Sequence, residues 1–346
     1  MTLTLTATSW PFAVQVTDRL LTTPPRGEPY DWDANKNIIL HARDGVAALA
    51  YSGIAYLDGI PTDQWIVETI TTENWGRGDA RPSLIGGPPK RLPKLGHAIR
   101  LVGEALSERC RRDPKGVGRG RFELIAVGYQ AAYPHYPFRP VTLAFVKEEN
   151  DSVGSYATGT RWLRHPAFQM GLSPATNAPF VAFEELKAAT RSCASPAELV
   201  NHYVKAIQAA AQCTTLIGGD CMSIEIDCPS HPKPEVRVHF VPRNDRPVNP
   251  RDRTPTVAES RAFSPWIVGP NQSVAPSICS IEGWMSYPLG RYEVKIRGVD
   301  VMGPETVLFF GTQRRPPFPK SGPAEPTSPN LMEIIRRELR KAGLPK

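Results

Sequence analysis

Residues 35–72 read NKNIILHARDGVAALAYSGIAYLDGIPTDQWIVETITT. The stretch opens with a β-branched and apolar run at 37–42, and Asp44-Gly45 is a strong short hairpin signal. A second apolar run at 46–52 carries small residues at Ala47, Ala48 and Ala50. Such a run suits a strand buried on both faces, with another layer close by. Gly53 makes a corner, and Pro61 opens a helix whose first turn holds Asp63, at the positive end of the helix dipole. Trp65, Ile66, Thr69 and Ile70 recur at three- and four-residue spacing and are expected to face the sheet. The order is strand, tight turn, buried strand, glycine corner, helix.

Upstream, residues 2–8 (TLTLTAT) alternate threonine with apolar residues, the period of a strand with one buried face. Residues 12–17 (FAVQVT) form its hairpin partner, followed at once by Asp18. A Pro/Gly-rich loop at 22–33 leads back to the central stretch. Downstream, 95–112 is an amphipathic helix with Ile99, Val102, Ala105 and Leu106 inward. Strands are expected at 122–130 and 140–147, with a shorter one at 153–160. Residues 161–170 have some helical character. Ser195, Pro196 and Glu198 make the N-cap, first-turn proline and capping box of a helix running to Cys213. Gly218-Gly219 closes that region, and 220–227 with 235–241 reads as a second hairpin. Later strands are expected at 276–284, 292–299 and 306–311, and a final helix at 328–342.

The chain has 346 residues and 41% hydrophobic content, enough for one large core or two modest ones. It has no apolar run of about 18 residues, so no membrane span is expected. No basic leader precedes an apolar core at the start, and a cytoplasmic location is expected. Six scattered cysteines form no C-x-x-C pair, which reads as reduced thiols and predicts neither a metal nor another cofactor. The net charge of +7 is concentrated at 109–121 and 336–341. No aromatic residue is interleaved at 109–121, so a solvated surface is expected there and no nucleic-acid partner. The 36 prolines crowd into 229–276 and 303–329, which predicts long irregular connections.

The succession over 2–241 resembles the four-layer αββα sandwich of the N-terminal-nucleophile hydrolases, in particular the proteasome β-subunit type. The strand ending AYSGIA before a helix is similar to that family's strand and glycine corner. DSVGSYATGT resembles its stretch leading into a Gly/Ser-rich segment. The helix over 198–213, the double glycine and the apolar strand match in order. The expected domains are the sandwich at 2–241, a Pro-rich irregular and β-containing extension at 242–327, and a helix and tail at 328–346.

That resemblance implies an α/β (α+β) fold and a threonine-type hydrolase of peptide or small-amide substrates, acting as a homo-oligomer. The family's nucleophile is a first-position Thr, Ser or Cys whose own α-amine, with a pKa of about 7.7–8.0, takes the proton. Thr2 matches this position once Met1 is trimmed. Asp18, sixteen residues on, matches an acid that holds a lysine. Lys36 is the lysine candidate, two residues further along than the family spacing; an even shift keeps its strand face. Gly53 matches the oxyanion glycine, and Thr160 falls near a serine that binds the terminal amine. The family's supporting acid and its companion serine fall on Thr214 and Ile217, which cannot do the same work.

Each residue also has a plainer reading. Thr2 fits an ordinary strand, Asp18 a turn, Lys36 an exposed loop and Gly53 a tight corner. His165, His202 and His239 lack a recognisable Ser or Cys partner motif. The alternative function is a catalytically silent member of the fold, serving as a structural or binding subunit.

Overall fold

The threonine–apolar alternation at the start of the chain becomes the strand Leu3–Thr8, and all six residues are buried, not the alternate ones only. The reason is a second sheet lying over the threonine face. Leu3, Leu5 and Ala7 pack toward helices, whereas Thr8 reaches Thr142 of the other sheet, Oγ1 to Oγ1 at 3.5 Å.

The computed structural model describes residues 2–23, 28–31, 34–57, 59–72, 85–86, 92–131, 138–159, 167–172, 183–241, 264–270, 273–274, 284–289 and 291–297. The first half runs β1 (Leu3–Thr8), β2 (Phe12–Asp18), β3 (Leu21–Thr23), β4 (Glu28–Asp31), β5 (Asn37–Ala42), β6 (Gly45–Gly53), β7 (Tyr56–Leu57), β8 (Ile60–Pro61), α1 (Thr62–Thr71), β9 (Ile85–Gly86) and α2 (Leu95–Arg112). Then come β10 (Phe122–Gln130), β11 (Arg139–Lys147), β12 (Ser155–Gly159), β13 (Ala167–Leu172), α3 (Phe183–Ser192) and α4 (Pro196–Cys213). The last strands are β14 (Cys221–Asp227), β15 (Glu235–Val241), β16 (Trp266–Val268), β17 (Ser273–Val274), β18 (Trp284–Leu289) and β19 (Tyr292–Arg297).

Two large sheets form. One is ordered β13-β1-β2-β14-β15-β19-β18 and the other β12-β11-β10-β6-β5-β16-β17-β9. Strand parity builds the layers. In β6, Ala47, Leu49 and Tyr51 face α1 and α2 while Val46 and Ala48 face the opposite sheet. In β10, Phe122, Leu124 and Ala126 face the helices while Ile125, Val127 and Tyr129 face inward. Leu199, Tyr203 and Ile207 of α4 cover β1 and β2 from the other side. The result is a four-layer αββα sandwich, two sheets between two layers of helices, with three apolar layers between them. Burying side chains of this size removes roughly 1.5–3 kcal/mol of unfavourable hydration each.

Several elements differ from expectation for identifiable reasons. The central hairpin turns at Arg43-Asp44, because Ala42 pairs with Gly45. Gly45 is needed in the strand, where a Cβ would stand 2.1 Å from the Tyr129 carbonyl oxygen. Asp44 ties the turn down: its carboxylate accepts from the Leu95 N–H at 2.7 Å and from Gln130 Nε2 at 2.9 Å. Of residues 161–170, expected to have some helical character, 161–166 lie outside the described residues, and 167–170 belong to β13 (Ala167–Leu172), which runs along the edge of β1 and pairs Leu172 with Leu3. The open edge of β1 supplies the hydrogen bonds that override a weak local preference.

Beyond 241, the described strands join both sheets. β16 runs parallel to β5, and β19 runs parallel to β15. The outer face of β14, β15 and β19 carries a charged ladder: Arg237 bonds Asp227 at 2.7 Å and Glu225 at 3.2 Å, and Lys295 bonds Glu235 at 2.5 Å. The strand expected at 276–284 lies outside the described residues up to 283. Those at 306–311 and the helix at 328–342 lie wholly outside them.

Candidate active site

β1 and β2 pair antiparallel, with Thr4 opposite Thr17. The next step brings the backbone beside Thr2 against Asp18. Asp18 Oδ1 accepts the Leu3 N–H at 2.8 Å. Its Oδ2 accepts the Leu20 N–H at 3.2 Å, the Gly218 N–H at 3.1 Å and the Lys36 ammonium at 3.1 Å. Lys36 Nζ also donates to the Leu20 carbonyl at 2.6 Å. Asp18 and Lys36 are both fully shielded from water. A charge without water must be paired and hydrogen-bonded, and four donors around one carboxylate meet that requirement. One of the four is a cation, so this carboxylate is built for an ion pair and not for a metal.

Lys36 is held from behind. Its carbonyl accepts the Tyr51 N–H at 3.2 Å, just before Asn37 pairs with Ala50. Its neighbour Asn35 donates from Nδ2 to Asp63 Oδ2 at 3.2 Å, and its carbonyl accepts the Tyr51 hydroxyl at 3.3 Å. Below the pair, a polar thread fixes the two sheets to each other. Thr17 Oγ1 donates to Asn37 Oδ1 at 2.5 Å, Asn37 Nδ2 to Gln15 Oε1 at 3.0 Å, and Gln15 Nε2 to the Ala48 and Ile125 carbonyls at 3.4 Å.

Thr2 is 3% exposed and continues the buried threonine column of Thr4, Thr6 and Thr8. Gly53 ends β6, three residues beyond Ala50. Its φ of +95° belongs to the region where glycine is at ease, and a Cβ there would lie 1.9 Å from the Arg121 carbonyl oxygen. Thr160 lies outside the described residues, one step past the end of β12. The structure therefore joins Asp18 and Lys36 under the backbone next to Thr2, and sets Gly53 at the end of the strand that braces Lys36.

No protein-family model matches this chain, and no curated protein matches it. Solved structures show distant similarity. Anbu from Hyphomicrobium sp. strain MC1 is 14% identical, with a TM-score of 0.41 over 65% of this chain and 82% of that one. A Gly-1 mutant of Anbu from the same strain gives 14% and 0.42 over 66% and 82%. Anbu, described as an ancestral β-subunit, from Yersinia bercovieri gives 9% and 0.42 over 64% and 80%.

Gly218 and Glu123 were not among the expected site residues. Gly218 gives its N–H to Asp18, and a Cβ on it would lie 2.7 Å from Leu20 Cβ. The double glycine was visible; its approach to Asp18, two hundred residues away in sequence, was not. Glu123 pairs across the strands with Ser52, next to Gly53, and by parity faces the other sheet. Burial pushes its carboxyl up to about 7, against the pull of Arg121 and with the help of Glu148. The signal was there: one carboxylate in the otherwise apolar run FELIAV. Thr214 ends α4, and its hydroxyl accepts the Leu216 N–H at 3.3 Å, while Ile217 is buried in the core under α4. Neither side chain supplies the acid or hydroxyl that the family resemblance would place there.

Proposed function

We propose that this protein is a threonine-type amide hydrolase, with Thr2 as nucleophile. The carrying observation is Asp18, which binds the N–H of the residue after Thr2 with one oxygen and the Lys36 ammonium with the other. In this reading the bond between Met1 and Thr2 is cut, leaving a free α-amine. Thr2 Oγ1 passes its proton to that amine as it bonds to the scissile carbonyl carbon. The C–N bond then breaks, the leaving amine takes the proton, and water hydrolyses the resulting ester. Lys36 stabilises developing negative charge, Asp18 positions Lys36, and the Gly53 N–H and Thr160 serve the oxyanion and the terminal amine. The substrate class is a peptide or small amide. A cytoplasmic setting and a homo-oligomer belong to the same proposal. Among the described residues no helix is long and apolar enough to cross a membrane.

A second reading is supported by a different observation. Thr2 is 3% exposed and the Asp18–Lys36 pair is sealed, as a structural staple would be, and Thr214 and Ile217 lack the supporting functional groups. Under it the protein is a silent structural or binding subunit of the same fold. The intact mass of the purified protein, measured beside hydrolysis of a broad peptide and small-amide library, separates the two. Loss of Met1 with turnover supports the enzyme; retained Met1 on most molecules removes it, because an acylated amine cannot act as a base.

A further inference from the structure

A second constellation of reactive side chains lies at the junction of α3 and α4, on the outer layer. Cys193, Glu198 and His202 each offer one ligand atom, and these atoms lie within 4.8 Å of one another. The backbone that presents them is well fixed. The Cys193 N–H extends the last turn of α3 by bonding the Ala189 carbonyl at 2.9 Å. Ser195 Oγ caps α4 by accepting the Glu198 N–H at 3.2 Å, and Glu198 Oε2 accepts the Ala194 N–H at 3.1 Å. Thr190 and Tyr203, hydroxyl to hydroxyl at 3.0 Å, hold the two helices together one turn further in. Glu198 and His202 stand four apart on α4, so they share one face of the helix. Cys193 is 8% exposed and comes to that face from the α3 side.

We propose that Cys193, Glu198 and His202 bind a zinc-class divalent cation. The donor set of one sulfur, one nitrogen and one oxygen suits zinc, with water as the fourth ligand. Zinc bond lengths of about 2.0–2.3 Å set tetrahedral ligands about 3.5 Å apart. The observed spread closes to this by rotation of the exposed His202 side chain and a small turn of the exposed Glu198 carboxylate about the oxygen that holds the Ala194 N–H. Only one Glu198 oxygen is used by the cap, which leaves the other for the metal. Charge also balances, since a thiolate and a carboxylate neutralise the dication. The ion would pin the end of α3 to the first turns of α4. The site stands apart from Asp18: the end of α4 nearest Asp18 is marked by Gln208, which bonds the Gly219 carbonyl, and ten residues of helix separate Gln208 from Glu198, about 15 Å.

The test titrates cobalt(II) into the chelator-treated, reduced full-length protein, with Zn²⁺ as competitor. The expected result is a near-ultraviolet thiolate-to-cobalt absorption saturating at one equivalent and erased by zinc. Cys193→Ser should abolish it, and His202→Ala should weaken cobalt binding by at least about tenfold. Cys213→Ser, which removes the exposed cysteine at the far end of α4, should leave it unchanged. His202 is exposed, so His202→Ala folds even if the buried-cysteine variant does not, and circular dichroism monitors both. Absence of the band, a band that survives in Cys193→Ser, or undiminished affinity in His202→Ala overturns the proposal.

Discussion

Lys36 Nζ lies 3.1 Å from Asp18 Oδ2, with both side chains at 0% exposure. The pair joins three distant parts of the chain, because the same carboxylate also holds Leu3 and Gly218. Its worth to folding is not the attraction alone. Both charges have lost their water, so the pair roughly breaks even against apolar replacements, while removing one partner strands the other.

Lys36→Met is therefore expected to lower stability by about 3–5 kcal/mol, as read from denaturant midpoints. The double variant Lys36→Met with Asp18→Asn should recover a large share of that loss. A single-variant cost below about 1 kcal/mol would mean that the pair is solvated. Loss of activity in either single variant counts as chemical only if the fold is shown to persist.

Gly53→Ala meets two obstacles at once, a φ of +95° and a contact of 1.9 Å with the Arg121 carbonyl oxygen. The expectation is a loss of at least about 2 kcal/mol, seen as a drop in Tm. An unchanged Tm would show that the corner between β6 and the start of β10 is looser than described.

Glu123 gives the protein a pH dependence of unusual sign. Its carboxyl is raised from the ordinary 4.5 to about 7 in the folded state. The folded protein thus holds this proton more tightly than the unfolded chain does. The group's contribution is complete below about 4.5, fades as pH rises from about 4.5 to 7, and is absent above. At about 1.4 kcal/mol per pH unit, the cost at neutral pH reaches about 3 kcal/mol. Glu123→Gln should stabilise the protein above pH 7 and flatten that part of the stability–pH curve. A variant curve parallel to that of the wild type across pH 4.5–7 would contradict the assignment.

How much of this was legible depends on whether the signal was local. α2 was readable to its bounds from its apolar period, and the start of α4 from Ser195 and Glu198, because caps and amphipathic faces are written in adjacent residues. The meeting of Lys36 with Asp18 was approachable because strand parity survives an even shift. The helix α3 went unassigned; of its interior only a short face, with Leu186 and Thr190, is buried. β13 and β16 gain their hydrogen bonds from edges supplied by distant strands, so their own residues say little, whereas β19 was expected as a strand and only its parallel pairing with β15 was not. Gly218 acts through Asp18, two hundred residues away, and no spacing rule reaches it, whereas Glu123 was visible as a lone carboxylate in an apolar run.

The proposed homo-oligomer needs an exposed surface. The apolar residues Leu95, Ile99, Val102 and Leu106 of α2 pack inside the sandwich, and its outer face carries Glu108, Arg111 and Arg112 in ion pairs. The large apolar side chains left exposed among the described residues are Val153 and Tyr156. Sedimentation velocity at micromolar concentration should show an oligomer, and Val153→Asp should weaken it. A strict monomer would set the homo-oligomer aside and leave a free-standing hydrolase.

The nucleophile assignment rests on Thr2, and the rate of amide hydrolysis by wild type and Thr2→Ala, measured on one peptide and small-amide library, tests it most directly. The substitution removes a hydroxyl and a methyl group at a buried position, so stability should fall by about 1–2 kcal/mol, and circular dichroism is used to show that the fold persists. The predicted result is hydrolysis by the wild type and none by the folded Thr2→Ala variant. No hydrolysis by the wild type, or wild-type rates in Thr2→Ala, would contradict the enzyme reading and leave the silent subunit in its place.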